Sequence, residues 1–209
     1  TVAPVTLTTE VDATELVATR ARLKADLPEG EIVPTLTDLL ARLTALALVK
    51  HPELNSALDG ETIVRHAAVH ISIAVDAERG LFAPVIRNAD AKTLFTIAEE
   101  SAALIASARA GTLAPDLMTG STFTITNLGM FGIDAFTPII NLPEAAILGV
   151  GRIVAKPVVI DEETEEIAVR KMLTLSLTFD HRIVDGAPAA RFLQTLSRMI
   201  ERPSSWLMR

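Results

Sequence analysis

The chain has 209 residues, 49% of them hydrophobic and 22% charged, with a net charge of −7, 4% aromatics, no tyrosine and no cysteine. That length fits one domain, or two small ones, and suffices to bury a proper core. The acidic balance and scarcity of rings argue against a nucleic-acid binder, and the missing cysteines exclude disulfides, thiolate metal sites and a cysteine nucleophile.

Val2 to Thr9 alternates apolar and hydroxyl side chains and predicts a strand. Asp12 is placed to cap a helix over Ala13 to Asp26, with Glu15 three positions on as its capping partner. Pro28 and Gly30 mark a turn. Thr35 or Thr37 then opens a second helix to Lys50, so rich in Leu and Ala that several of its faces are expected to be buried. Pro52 ends it. Thr62–Val64, Val69–Val75 and Leu81–Ile86 are β-rich runs, the last two joined by a tight turn at Glu78-Arg79-Gly80. A third helix is predicted over Lys92 to Ala110, closed by Gly111. Strands follow at Phe123–Thr126, Ala145–Val150 and Arg170–Phe179, with a glycine-containing loop at Asn127–Gly132 and a solvated acidic turn at Asp161–Glu166. A last helix runs from Asp185 to Glu201 and stops at Pro203. Strands and helices alternate irregularly, without repeats or linkers, which predicts a single α/β domain with a sheet covered by helices. The longest uncharged stretch, Leu117–Ile133, carries too many Thr, Ser, Asn and Gly residues for a membrane span. No signal peptide is legible, and mean hydropathy of +0.38 predicts apolar surface buried between copies of the chain.

Phe179-Asp180-His181-Arg182-Ile183-Val184-Asp185-Gly186 is the densest chemical signal. A strand delivers a histidine into a turn, where its imidazole can be held facing a cleft. With an ordinary pKa of about 6.5 it can take a proton from a thiol of pKa about 8.5. Asp185 is placed to cap the helix that follows, and Gly186 to permit a close approach that a side chain would forbid. Read as an isolated string, the same residues also fit a core histidine followed by an ordinary N-cap. Three other signals are weaker. Gly149-Val150-Gly151 lacks the third glycine of a dinucleotide loop, and the residues after it are β-rich. His66 and His70 have no glutamate between them, and on a strand they would sit about 13 Å apart. Ser121 has no nucleophile elbow around it.

The string resembles the His-x-x-x-Asp-Gly signature of coenzyme A-dependent acyltransferases. Its Asp-His-Arg form is similar to that of dihydrolipoamide acyltransferases, the core components of 2-oxo acid dehydrogenase complexes. Three further blocks carry the same resemblance: Leu7 to Thr14, Ser121 to Gly132, and Phe136 to Asn141 with Ala145 to Gly151. It covers nearly the whole chain. It implies a chloramphenicol acetyltransferase-like fold, with a mixed sheet covered by helices, in a single catalytic domain over residues 1–209.

The resemblance also implies a mechanism. His181 is the general base of acyl transfer between dihydrolipoamide and coenzyme A. Thr126, where many relatives carry Ser, donates its hydroxyl to the oxyanion, and its extra methyl restricts the rotamer. Asp185 is a structural member of the catalytic group. Asn127 and Gly186 are expected at the substrates, and Phe136 and Leu148 on the lipoamide side. Coenzyme A is a substrate, the lipoyl group rides on a separate domain, and no metal is expected. The site forms between subunits of a homotrimer that assembles into a 24-mer or 60-mer core. Partners are lipoyl domains, the 2-oxo acid decarboxylase and dihydrolipoamide dehydrogenase, with no nucleic acid and no membrane. Lipoyl and peripheral-subunit-binding domains are expected ahead of Thr1, and the compartment is the cytoplasm, or the mitochondrial matrix in a eukaryote. Acetyl is the expected acyl group from the Asn127–Gly132 block, with branched-chain or succinyl transfer as the alternative. Two rivals remain: an antibiotic acetyltransferase of the same fold, in which a second His replaces Asp180, and a non-catalytic core scaffold, which typically loses the His.

Overall fold

The computed structural model describes residues 2–207. In chain order its elements are β1 (Pro4–Asp12), α1 (Thr14–Asp26), α2 (Leu36–Lys50), β2 (Ser56–Asp59), β3 (Thr62–Arg65), β4 (Ile71–Ile73), β5 (Val75–Ala77), β6 (Gly80–Phe82), β7 (Val85–Ile86), α3 (Leu94–Arg109), β8 (Phe123–Asn127), β9 (Ala146–Asp161), β10 (Glu166–Asp180), α4 (Gly186–Glu201) and α5 (Ser204–Leu207). Six strands form a mixed sheet in the order β1-β10-β9-β8-β4-β7. β8 runs parallel to both β4 and β9, and the remaining neighbours are antiparallel.

Strand alternation divides the sheet into two chemically different faces. One carries Ile71, Phe123, Ile125, Leu148, Val150, Leu175, Leu177 and Phe179, all within one buried core. α2 and α4 close that core. α4 buries Ala189, Phe192, Leu193, Leu196, Met199 and Ile200, the spacing of an amphipathic helix. α2 is buried along nearly its whole length, as its composition predicts. Thr35 caps α2 with a reciprocal pair of bonds: Asp38 N–H donates to its hydroxyl, and its own N–H donates to Asp38 at 2.7 Å.

The opposite face is lined with hydroxyls. Residues paired across the strands bond to each other: Thr6 to Thr178 at 2.7 Å, Thr8 to Ser176 at 3.4 Å and Ser72 to Thr124 at 2.6 Å. Thr126 lies in the same set, but its partner on β9 is Gly149.

Several elements differ from expectation. β9 and β10 are far longer than predicted, meeting in a turn at 162–165 where the acidic run stands. Their outer halves pair only with each other and are largely exposed, and the β-rich residues after Gly151 form the outer half of β9. The run Val69–Val75 splits because Ala74 N–H bonds to Ile125 while Ile73 N–H bonds to Pro84, and the chain changes pairing partner there. At the start of α1, Asp12 accepts from Thr14 N–H at 2.9 Å, but Glu15 makes no reciprocal bond and reaches Arg22 instead. No helix among the described residues is long and apolar enough to cross a membrane.

Candidate active site

His181 stands one residue beyond the end of β10, in the turn before α4. Its N–H donates to Ala3 C=O at 2.8 Å, and its ring lies 5.9 Å from that of Phe179. The side chain is 46% exposed, so the imidazole is reachable from solvent. Asp185 is the N-cap residue of α4 by position, but its side chain makes no capping bond, contrary to the expectation. It is 82% exposed and points toward His181, with Oδ1 3.8 Å from Nδ1. That gap is too long for a hydrogen bond. Gly186 also departs from expectation. A Cβ there would meet nothing within 4 Å, and its backbone needs no left-handed conformation, so nothing among the described residues requires a glycine.

Thr126 occupies the far end of β8. It is half-buried, and among the described residues no group hydrogen-bonds its hydroxyl. The cause is local: its cross-strand neighbour Gly149 has no side chain, and the Phe136 ring and Pro138 fill that space, 3.1 and 3.3 Å from where a Cβ would stand. Phe136 thus lies over Gly149, the residue paired with Thr126. Leu148 does not line that space. It is fully buried on the helix-covered face, a core residue rather than a substrate contact, because the strand alternates and Gly149 faces the other way.

His181 and Thr126 do not meet within one chain. Phe179 pairs with Ala146 and Thr126 with Gly149, so two strand spacings of about 4.8 Å and about five residues of about 3.3 Å separate them, roughly 19 Å in all.

Asn127 borders a cavity of about 500 Å³ between the start of α2, β5, α3 and the loop after β8. Its amide donates to Thr37 at 3.2 Å and its Oδ1 accepts from Gly129 N–H at 2.9 Å, which fixes the loop. Thr37, Asp76, Ser101, Arg109 and Met130 share the cavity wall. Gly151, half of the rejected dinucleotide motif, has a packing role here. A Cβ on it would stand 1.9 Å from Asp134 C=O, so a side chain cannot fit where the loop lies on β9. Arg152 and Asp134 fasten the same contact at 2.5 Å.

Sequence reading missed Glu144. It is 1% exposed, yet among the described residues no cation pairs with it. It accepts from Ser121, from Thr124 at 2.6 Å and from Asn141 at 3.0 Å. Burial pushes its carboxyl up to about 7, against the downward pull of those three donors. A lone glutamate after a proline carries no periodic signal of burial, so nothing in the sequence could have marked it.

A family profile described as "2-oxoacid dehydrogenases acyltransferase (catalytic domain)" matches residues 1–208. The chain belongs to this family. The dihydrolipoyllysine-residue acetyltransferase component of the Bacillus subtilis pyruvate dehydrogenase complex is 43% identical over 206 residues, 98% of this chain and 46% of the relative. The lipoamide acyltransferase component of the Pseudomonas putida branched-chain alpha-keto acid dehydrogenase complex is 42% identical over 93% of this chain and 46% of the relative. The chain thus spans about half the length of the curated family members it matches. Two solved structures, the Azotobacter vinelandii dihydrolipoamide acetyltransferase and the cubic core of a pyruvate dehydrogenase multienzyme complex, each superpose with a TM-score of 0.93 at 41% identity, covering 99% of this chain and 84% of theirs. Chloramphenicol acetyltransferase shares the fold at 16% identity, with a TM-score of 0.61 over 94% of this chain and 88% of its own. The fold expected of the family is the fold of this chain.

Proposed function

We propose that this chain transfers an acetyl group between dihydrolipoamide and coenzyme A, at a site built from two copies of itself. The observation that carries the reading is a pair of half-sites: a reachable imidazole at one end of the sheet and an unpartnered hydroxyl at the other, with no path to each other inside one chain. An adjoining copy brings them together. The family membership and the Azotobacter structure support it. That work concerns a serine, a histidine and an asparagine, the last two four positions apart, the spacing of His181 and Asp185.

In this reading His181 takes the proton from the attacking thiol. The thiolate adds to the thioester carbonyl, and the Thr126 hydroxyl of the adjoining copy donates to the oxyanion. One such donor contributes about 3 kcal/mol. The intermediate expels the second thiolate, which recovers the proton from the imidazolium. No acyl-enzyme forms, because both thiols meet in one place and proximity supplies much of the rate. Asp185 faces the Nδ1 side of the ring and favours the transient positive charge, weakened by its exposure to water. The lipoyl carrier, a decarboxylase, dihydrolipoamide dehydrogenase and a trimer-based core in the cytoplasm complete the proposed setting.

The two-copy site has a direct test. His181→Ala and Thr126→Ala are each expected to lose acyl transfer by at least a hundredfold. Unfolded together and refolded as mixed trimers, they should recover about a quarter of wild-type activity, since one interface in four then holds both intact groups. No recovery would sink the reading. Turnover with acetyl-, isobutyryl- and succinyl-coenzyme A tests the acyl group, and acetyl should have the highest kcat/KM.

A further inference from the structure

We propose that Asp180 is a positioning residue for His181, and that with Arg182 and the backbone of Ala3 it makes the start of β1 part of the active-site framework. The inference rests on the reading of His181 as the base. Asp180 is 1% exposed, and its carboxylate collects donors from three sources. Arg182 Nε lies 3.0 Å from each of its oxygens and Arg182 Nη2 lies 2.5 Å from Oδ2. Arg182 N–H donates at 3.1 Å and Ala3 N–H at 3.2 Å. Ala3 closes the loop by accepting from His181 N–H at 2.8 Å. The residues before and after the histidine are therefore tied to one carboxylate, and the histidine's own amide is tied to the strand that carboxylate holds.

This knot bears on the imidazole because little else does. No side chain hydrogen-bonds the ring among the described residues, Asp185 stands beyond bonding distance, and the ring is nearly half exposed. Its direction is set by the backbone it projects from. The Arg182 guanidinium holds the Asp180 carboxyl below the usual carboxylate range, so it stays an acceptor throughout the pH range in which an imidazole works. A forked guanidinium also fixes direction in a way that a lysine cannot. A misplacement of about 1 Å can cost a hundredfold in rate, so loosening the turn should act on turnover rather than on substrate binding.

The test uses the assembled protein and both thiol substrates. Asp180→Asn keeps the shape but turns an acceptor into a donor facing Arg182. Its kcat is expected to fall about thirtyfold to a hundredfold, with KM for coenzyme A and for dihydrolipoamide within about twofold. In a His181→Ala background the same change should have no further effect on rate, because a positioning residue acts only through the group it positions. Arg182→Lys, on a side chain that is partly exposed, should lose about tenfold in kcat with KM unchanged, and it decides the matter if Asp180→Asn does not fold. An unchanged kcat in the folded variants, or a full additional loss in the His181→Ala background, overturns the inference. If His181→Ala alone leaves the rate intact, the proposed base is what fails.

Discussion

The two faces of the sheet present opposite solutions to burial. On one, Leu175, Leu177 and Phe179 lie in an apolar core sealed by the chain's own helices. On the other, Ser176, Thr178 and Asp180 are just as buried, but each has a polar partner: Thr8 for Ser176, Thr6 for Thr178, and Arg182 with the Ala3 N–H for Asp180. Apolar burial needs only surface area, whereas polar burial needs a partner for every group. On the hydroxyl-lined face that pairing is left incomplete at Thr126, the residue that the proposed mechanism uses. A glycine across the strand removes the partner, and a hydroxyl remains free to bond something that is not part of the chain.

Neighbouring residues on β10 sharpen the contrast. Leu177→Ala should destabilise the fold by about 2–5 kcal/mol in a denaturant titration, because the helices cannot collapse onto the space left. A loss under 1 kcal/mol would mean that this face is not closed as described. Thr126→Ala should do the reverse: transfer falls about a hundredfold or more while stability changes by less than about 1 kcal/mol, since no bond within the chain is lost. Thr126→Ser, which keeps the donor, should restore the rate. A marked loss of stability in the alanine variant would mean that Thr126 is an ordinary member of the hydroxyl rows.

Glu144 tests the polar face through pH. Its folded-state pKa of about 7 stands above the ordinary 4.5, so the folded chain holds the proton more tightly than the unfolded chain. That contribution is full below pH 4.5 and fades as pH rises through 7, about 3 kcal/mol in all. Burial pushes His51 and His70 down, so their contributions have the opposite sign, full above about pH 6.5 and fading below it. In Glu144→Gln the amide oxygen can still accept from Ser121 and Asn141, and its NH2 can donate to Thr124. Stability curves of this variant and wild type should converge near pH 5 and part above pH 7, with the variant the more stable. Parallel curves across that range would count against a protonated Glu144. The smallest effect is expected at Thr178→Val, which parts one hydroxyl pair at the edge and should cost about 1 kcal/mol.

Local chemistry made part of this molecule readable in advance. The cap at Thr35, the stop at Pro52, the amphipathic α4 and the acidic turn after β9 each depend on residues a few positions apart, and sequence spacing records such relations. The His181 string and the blocks that accompany it identified the family in the same way. Strand length, by contrast, was set by pairing: β9 and β10 extend well past their apolar cores because each supports the other. The face on which Leu148 lies was decided by its register against Ile125 and Leu177, and the clearance at Gly186 by what the fold does not bring near it. Tertiary structure alone buried Glu144 without a cation, gathered three parts of the chain onto Asp180, and held His181 and Thr126 at opposite ends of the sheet. Burial and distance are sums over partners far apart in sequence, and no local pattern carries that sum.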